Sequence, residues 1–294
     1  MAPDPVPPGG PAAPRRRLRL RLVPRGRKRL SGLSFNRLLP NILTMLGLCA
    51  GLTAVRFAFE NRFDVAATLI VVAAFIDGLD GRLARLLKAT SRFGAEFDSL
   101  SDFLAFGCSP ALILYLWTLQ DARGYGFIPC LLFAVCMALR LARFNAALDP
   151  APGAAPRPAF AAAFFTGVPA PAGAGLALFP IFASLAFQGW GLDRLALLIR
   201  HPVLTALILV AVAALLVSTL PTWSFKNFKV PRNVVLPLLL GAASYAALLV
   251  TEPWAALAAA GILYAAMIPL SLRSHRRLRA EAERLLEPEG ANPG

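Results

Sequence analysis

Four aspartates in this sequence are placed to do chemistry together. Asp77 and Asp80 stand three residues apart, and Asp98 and Asp102 four apart. On helices, each pair shares one face. Both pairs border apolar runs, where an ionised carboxylate is costly, and four carboxylates brought together repel one another. Nearby positive charge comes from Arg82, Arg85 and Arg92. Divalent cations are the natural compensation, since an all-oxygen donor set suits Mg²⁺, Mn²⁺ or Ca²⁺. Two adjacent antiparallel helices would aim all four carboxylates at one point. A pair of metal ions held there can clamp the attacking and leaving oxygens of a phosphoryl transfer, a reaction that needs charge neutralisation and in-line positioning above all. Helix-end carboxylates in water, paired with neighbouring arginines, would explain any one of these residues. They do not explain four at these spacings with Gly81 and Gly94 among them.

The elements that must hold the cluster are membrane helices. The 294 residues are 57% hydrophobic and 16% charged, with a mean hydropathy of +0.62. That balance excludes a soluble domain, a disulfide-rich secreted module and a disordered chain. Apolar runs recur near 39–58, 64–82, 99–118, 126–144, 160–187, 203–220, 233–250 and 254–271. Each is close to the roughly 20 residues that cross a bilayer as a helix. The expected fold is therefore all-α, a polytopic integral membrane bundle of about eight transmembrane helices. Gly167, Pro169, Pro171 and Gly173 predict a kink in the fifth span. Basic residues crowd one side: Arg82, Arg85, Lys88 and Arg92; Arg140, Arg143 and Arg157; Lys226, Lys229 and Arg232; and the tail from Arg273. Short cytoplasmic loops carry such an excess, which places both termini and the aspartates at the cytoplasmic face.

The net charge of +14 is first a topology signal, and no nucleic-acid partner is expected. Residues 1–37 read as a disordered Pro/Gly-rich and polybasic tail resting on anionic lipid, with an organellar transit peptide as the alternative. Residues 273–294 read as a basic cytoplasmic tail. Cys49, Cys108, Cys130 and Cys136 lie in apolar runs and form no CxxC pair, so they read as small hydrophobes. Two histidines make a zinc site improbable.

The stretch from Asp77 to Asp102 reads D-x2-D-G-x2-A-R-x8-G-x3-D-x3-D, through Asp77, Asp80, Gly81, Ala84, Arg85, Gly94, Asp98 and Asp102. This resembles the signature of the CDP-alcohol phosphatidyltransferase family, with every fixed position filled. The resemblance implies that the four aspartates hold two divalent ions, Mg²⁺ or Mn²⁺, that a nucleotide pyrophosphate lies on them, and that an alcohol displaces CMP. It also implies that Asp102 is the general base. Gly81 and Gly94 allow close approach of a nucleotide or of two helices, and Ala84 keeps that face shallow. Arg85 contacts phosphate or pairs with an Asp. Asn41 and Thr44, within Leu39–Thr44, hydrogen-bond the cytidine end or join helices.

Further segments resemble the phosphatidylserine-forming branch of that family: Phe97–Asp102 with Phe106–Ala111, Leu139–Asn145, Phe165–Pro171, Val217–Thr219 and Ser224–Lys226. The resemblance covers residues 38–226, taken as the catalytic membrane domain, with two additional helices in 227–272. It implies CDP-diacylglycerol and L-serine as substrates and a homodimer in the inner membrane of a bacterium. Arg140 and Arg143 share a face, and a guanidinium suits a carboxylate or phosphate, so they are acceptor-binding candidates with Asn145 and Lys226. They equally suit positive-inside anchors. Choline, glycerol 3-phosphate or inositol phosphate remain alternative acceptors. A cation transporter is the rival from another class, although its site would belong at the midplane.

Overall fold

The computed structural model describes residues 35–147, 164–223 and 232–286. Two long helices open it, α1 (Phe35–Phe59) and α2 (Phe63–Leu86), folded back on each other through a tight turn at Asn61. Their seam is built from alanines, with Ala54, Ala58, Ala66, Ala67 and Ala73 all buried. Small side chains let membrane helices approach closely, which is where dispersion energy is gained when lipid is as apolar as the partner. A short connection then leads into α3 (Arg92–Asp102). Ser91 caps this helix, its Oγ accepting from Gly94 N at 3.0 Å.

That cap starts the third span at Arg92, earlier than the residue 99 that hydropathy predicts. The difference arises because α3 begins as an amphipathic segment of polar and aromatic residues and becomes apolar only later. From Asp102 the chain runs through a π-helical segment, Phe103–Cys108, into α4 (Ser109–Trp117). Phe106, Ile113 and Leu114 of this span are fully buried with Phe133 and Met137 of α5 (Phe127–Ala146), forming the centre of the core.

The fifth span breaks elsewhere than expected. Gly167, at φ +79°, and Pro169 lie before the helix rather than within it. The bend of 47° falls at Leu178, between α6 (Ala170–Ala177) and α7 (Phe179–Gly189). Pro180, in the first turn of α7, cannot donate back to the preceding turn, which ends α6 there. A second bend, of 53°, separates α8 (Asp193–Ile199) from α9 (Pro202–Val217). The described residues are helical apart from one short antiparallel pairing, Phe164–Thr166 with Pro221–Trp223. Two C-terminal helices follow, α10 (Arg232–Thr251) and α11 (Pro253–Leu286). Helix α11 continues beyond the expected end near 271 because residues 273–286 are rich in Arg, Ala, Leu and Glu, all good helix formers.

Among the described residues, five helices are long and apolar enough to cross a bilayer, or seven if each bent pair is one crossing. Helix α2 has the length as well, at 24 residues, but carries Asp64, Asp77, Asp80, Arg82 and Arg85. Large apolar side chains such as Phe75, Leu207, Leu236 and Leu263 are exposed around the bundle, as lipid contact requires. All four cysteines are free: Cys130 is buried, Cys108 and Cys136 half-buried and Cys49 exposed.

One glycine sets the spacing beneath the aspartates. A Cβ on Gly51 of α1 would lie 2.8 Å from Cα and Cβ of Ala105 in the π-helical segment. Gly51→Val is therefore expected to force α1 away and destabilise the fold by about 1–3 kcal/mol. Gly241→Ala, where the added Cβ meets open space, should change little. Thermal unfolding in detergent checks both.

Candidate active site

Helix α2 delivers Asp77 and Asp80 near its C-terminal end, and α3 delivers Asp98 and Asp102. Both helices pack against α1, and the two pairs meet. Carboxylate oxygens of Asp77, Asp98 and Asp102 all lie within 4.8 Å of one another. Asp80 is turned away from this trio toward α1, where its Oδ2 accepts a hydrogen bond of 2.7 Å from Thr44 Oγ1. The expectation of one shared point is thus met by three carboxylates, with the fourth on the adjoining wall. The reason is rotational. A step of three residues turns a helix by about 300°, so Asp80 points some 60° off Asp77 and meets α1 rather than α3.

The trio, Asp80 and Thr44 line one small chamber with Ser101 and Phe106. A larger groove of about 350 Å³ adjoins it, lined by Asn41, Thr44, Asp80, Gly81, Ala84, Arg85, Gly94 and Asp98. Thr44, Asp80 and Asp98 belong to both, so the groove opens onto the acidic chamber. All six residues expected to hold a nucleotide lie on this groove. The two signature glycines do different work. A Cβ on Gly81 would meet nothing within 4 Å, so that glycine leaves groove volume free. A Cβ on Gly94 would lie 3.2 Å from Asn41 Oδ1, so that glycine lets α3 close against α1.

The donor set fits a hard divalent cation. It is oxygen-only, as Mg²⁺ and Mn²⁺ prefer. Among the described residues the one ion pair is Arg56–Glu60, toward the far end of α1, so none of the described arginines or lysines pairs directly with the four aspartates. Ser101 adds an independent sign. Its Oγ is buried and makes no hydrogen bond among the described residues, yet it lines the chamber. A bound ion, its water or a phosphate oxygen would satisfy it.

The acceptor candidates divide. Arg140 lies close enough to Asp102 and Asp77 to interact with them electrostatically, and its Nε donates to the carbonyl of Val168. Arg143 spends its guanidinium on α9: Nη1 donates to Val217 O at 2.9 Å and Nη2 to Ser218 O at 3.2 Å. A cation on the last carbonyls of a helix is favourable. Asn145 Oδ1 accepts from Ser99 Oγ at 3.0 Å, tying α5 to α3. Lys226 lies outside the described residues. The structure therefore brings Arg140 to the cluster and uses Arg143 and Asn145 to join helix ends.

Three features of the site were missed in the sequence. Ser101, three residues after Asp98, had a signal in its spacing. The π-helical segment directly after Asp102 had none; a wider turn there sets the direction in which α3 enters the bundle, and such segments are frequent at functional sites. Tyr264 had none either. It arrives from α11 and interacts electrostatically with Arg140.

Comparison with known proteins agrees with this geometry. The sequence model of the CDP-alcohol phosphatidyltransferase family matches residues 37–272. A CDP-diacylglycerol–serine O-phosphatidyltransferase of Mycobacterium tuberculosis (strain ATCC 25618 / H37Rv) is 40% identical over 261 residues, 88% of this chain and 85% of that protein. One from Mycobacterium leprae (strain TN) is 38% identical over 247 residues, 84% of this chain and 78% of its own. A Helicobacter pylori (strain ATCC 700392 / 26695) protein of the same name is 38% identical over 139 residues, 47% of this chain and 55% of its own.

Proposed function

This chain belongs to the CDP-alcohol phosphatidyltransferase family, and we infer that it transfers the phosphatidyl group of CDP-diacylglycerol to the hydroxyl of L-serine, giving phosphatidylserine and CMP. The observation that carries the inference is the acidic chamber opening directly onto a groove with the nucleotide-binding residues on its walls. Relatives named for this reaction align over most of the chain. Family membership sets aside the transporter reading.

The steps follow from the residues. Asn41, Thr44, Gly81, Ala84 and Arg85 cradle the nucleotide in the groove, with Gly94 closing α3 against it. Asp77, Asp80, Asp98 and Asp102 would hold two divalent ions, Mg²⁺ or Mn²⁺, which would supply charge neutralisation for the pyrophosphate and the leaving CMP. Arg140, which interacts electrostatically with Asp102 and Asp77, receives the serine carboxylate. Asp102 takes the serine hydroxyl proton onto its carboxylate. The serine oxygen then bonds to the phosphorus that bears diacylglycerol, and the bond from that phosphorus to the CMP oxygen breaks. Arg143 and Asn145 hold the helix ends beside the acceptor, and Lys226 is a further acceptor-binding candidate.

The setting completes the proposal. The five straight spans, the two bent pairs and α2 give eight crossings. Both termini and the site then face the cytoplasm, in a bacterial inner membrane, because the basic residues lie at the aspartate end. Residues 38–226 form the catalytic unit, α10 and α11 are added to it, and the chain works as a homodimer.

Expression in cells whose membranes lack phosphatidylserine tests the assignment. Phosphatidylserine should accumulate, read by lipid mass spectrometry. A phosphatidylcholine, phosphatidylglycerol phosphate or phosphatidylinositol phosphate product in its place would keep the family and overturn the acceptor. A smaller effect tests the wall of the site. Thr44→Val leaves the buried Asp80 carboxylate without its hydroxyl donor, and a hydrogen bond to a charged group contributes about 1.5–3 kcal/mol. Turnover should fall roughly tenfold to a hundredfold, with Thr44→Ser close to wild type in steady-state assays.

A further inference from the structure

The π-helical segment Phe103–Cys108 stands between the aspartates of α3 and the core-packed helix α4. Its cause lies in the next two residues. Pro110 has no N–H to return to Phe106, four residues back, and in a continuous α-helix its ring would press on that carbonyl. Ser109, just before it, reaches one residue further back than an α-helix requires. Its backbone N–H donates to Leu104 O, five residues before it, and its Oγ donates to the same carbonyl at 2.9 Å. Two donors from one buried serine thus fix the wider pattern beside the proline that interrupts the ordinary one. The neighbours leave room for it. Helices α1 and α5 both pack on the segment. An added Cβ on Gly51 of α1 would lie 2.8 Å from Ala105, and one on Gly107 would lie 3.1 Å from Met137 of α5. Glycine on each side therefore gives the wide turn its space.

A π turn closes over one residue more than an α turn. That residue is worth about 100° of rotation and 1.5 Å of rise. Everything on the α3 side of the segment turns with it. Asp98, Ser101 and Asp102 face the chamber at a rotation that a continuous α-helix from α3 into α4 would miss by that angle. The tolerance is small, because carboxylate oxygens of Asp77, Asp98 and Asp102 lie within 4.8 Å of one another.

We propose that Ser109 and Pro110 are positioning residues for the cation site, together holding the π turn whose extra residue aims Asp98, Ser101 and Asp102 at Asp77. Neither lines the chamber, so they act through the main chain. The proposal rests on the aspartates holding divalent cations and is independent of which alcohol accepts the phosphatidyl group.

The test is Mn²⁺ binding by purified, chelator-stripped protein in detergent, read by electron paramagnetic resonance with MnCl₂ alone and with MnCl₂ and CMP. The double variant Ser109→Ala with Pro110→Ala removes the hydroxyl donor and returns an N–H for the Phe106 carbonyl, so the segment can close as an α-helix. Its Mn²⁺ affinity should fall about 10–100-fold, the loss typical when groups that orient metal ligands are removed. Its metal-free melting temperature should hold or rise, because a helix hydrogen bond is gained. Pro110→Ala alone should show a smaller loss in the same direction. Pro237→Ala, inside the exposed helix α10, should show none. Wild-type Mn²⁺ affinity in the folded double variant would overturn the proposal. So would a metal-free melting temperature that falls along with the affinity, which would make the pair a support for the fold alone. A wild-type protein that binds no Mn²⁺ under either condition would overturn the cation site itself, and the proposal with it.

Discussion

Asp102→Asn is expected to lower serine-dependent CMP release about a thousandfold or more while leaving the protein folded. Two losses combine. The amide cannot accept the serine proton, and positioned general bases contribute about 10²–10⁴ in rate. The amide also removes one of three anionic oxygen donors that lie within 4.8 Å of one another. The fold should not suffer, because the amide matches the carboxylate in shape and one like charge has left the cluster. Repulsion among the remaining carboxylates falls, so the metal-free variant should melt at or above the temperature of the metal-free wild type. Asp98→Asn shares the metal loss but not the base loss, and raising Mn²⁺ should recover more of its activity. Asp102→Asn retaining a tenth of wild-type turnover would remove Asp102 from the chemistry. A drop in melting temperature in the absence of metal would make its role structural.

Stripping divalent cations is the second large effect. A chelator should abolish transfer, and Mn²⁺ or Mg²⁺ should restore it. Without cations, the four aspartates retain one hydroxyl donor, Thr44, and no paired cation among the described residues. The chelated protein should therefore melt lower than the loaded one, since a ligand present at a hundred times its Kd stabilises by about 2.7 kcal/mol. In Asp102→Asn this metal-dependent gap should narrow. Full activity in chelator would contradict the site. A metal-independent melting temperature beside metal-dependent activity would mean that cations arrive only with the nucleotide.

Much of this was legible in the sequence because it depends on local spacing. The apolar runs gave the helices, and the two Asp pairs, at three and four residues, gave the faces that meet. What stayed hidden depends on packing between distant segments. The rotation of Asp80 onto Thr44 follows from how α1 lies against α2. The fifth span bends at Leu178 because Pro180 interrupts the helical run there, whereas Pro171 sits in the first turn of α6, where its missing N–H breaks nothing. Arg140 and Arg143 look equivalent at i, i+3, but Val217 and Ser218 of another helix end claim Arg143. Tyr264 reaches the site from 162 residues beyond Asp102, a distance that no local pattern encodes.

Purified protein in detergent, given CDP-diacylglycerol, Mn²⁺ and one acceptor at a time, tests the central claim most directly through release of CMP. CMP should appear with L-serine, matched mole for mole by phosphatidylserine, and disappear in Asp98→Asn at the same Mn²⁺ concentration. CMP release from folded protein with choline, glycerol 3-phosphate or inositol phosphate and none with serine, or release undiminished in Asp98→Asn, would contradict the account.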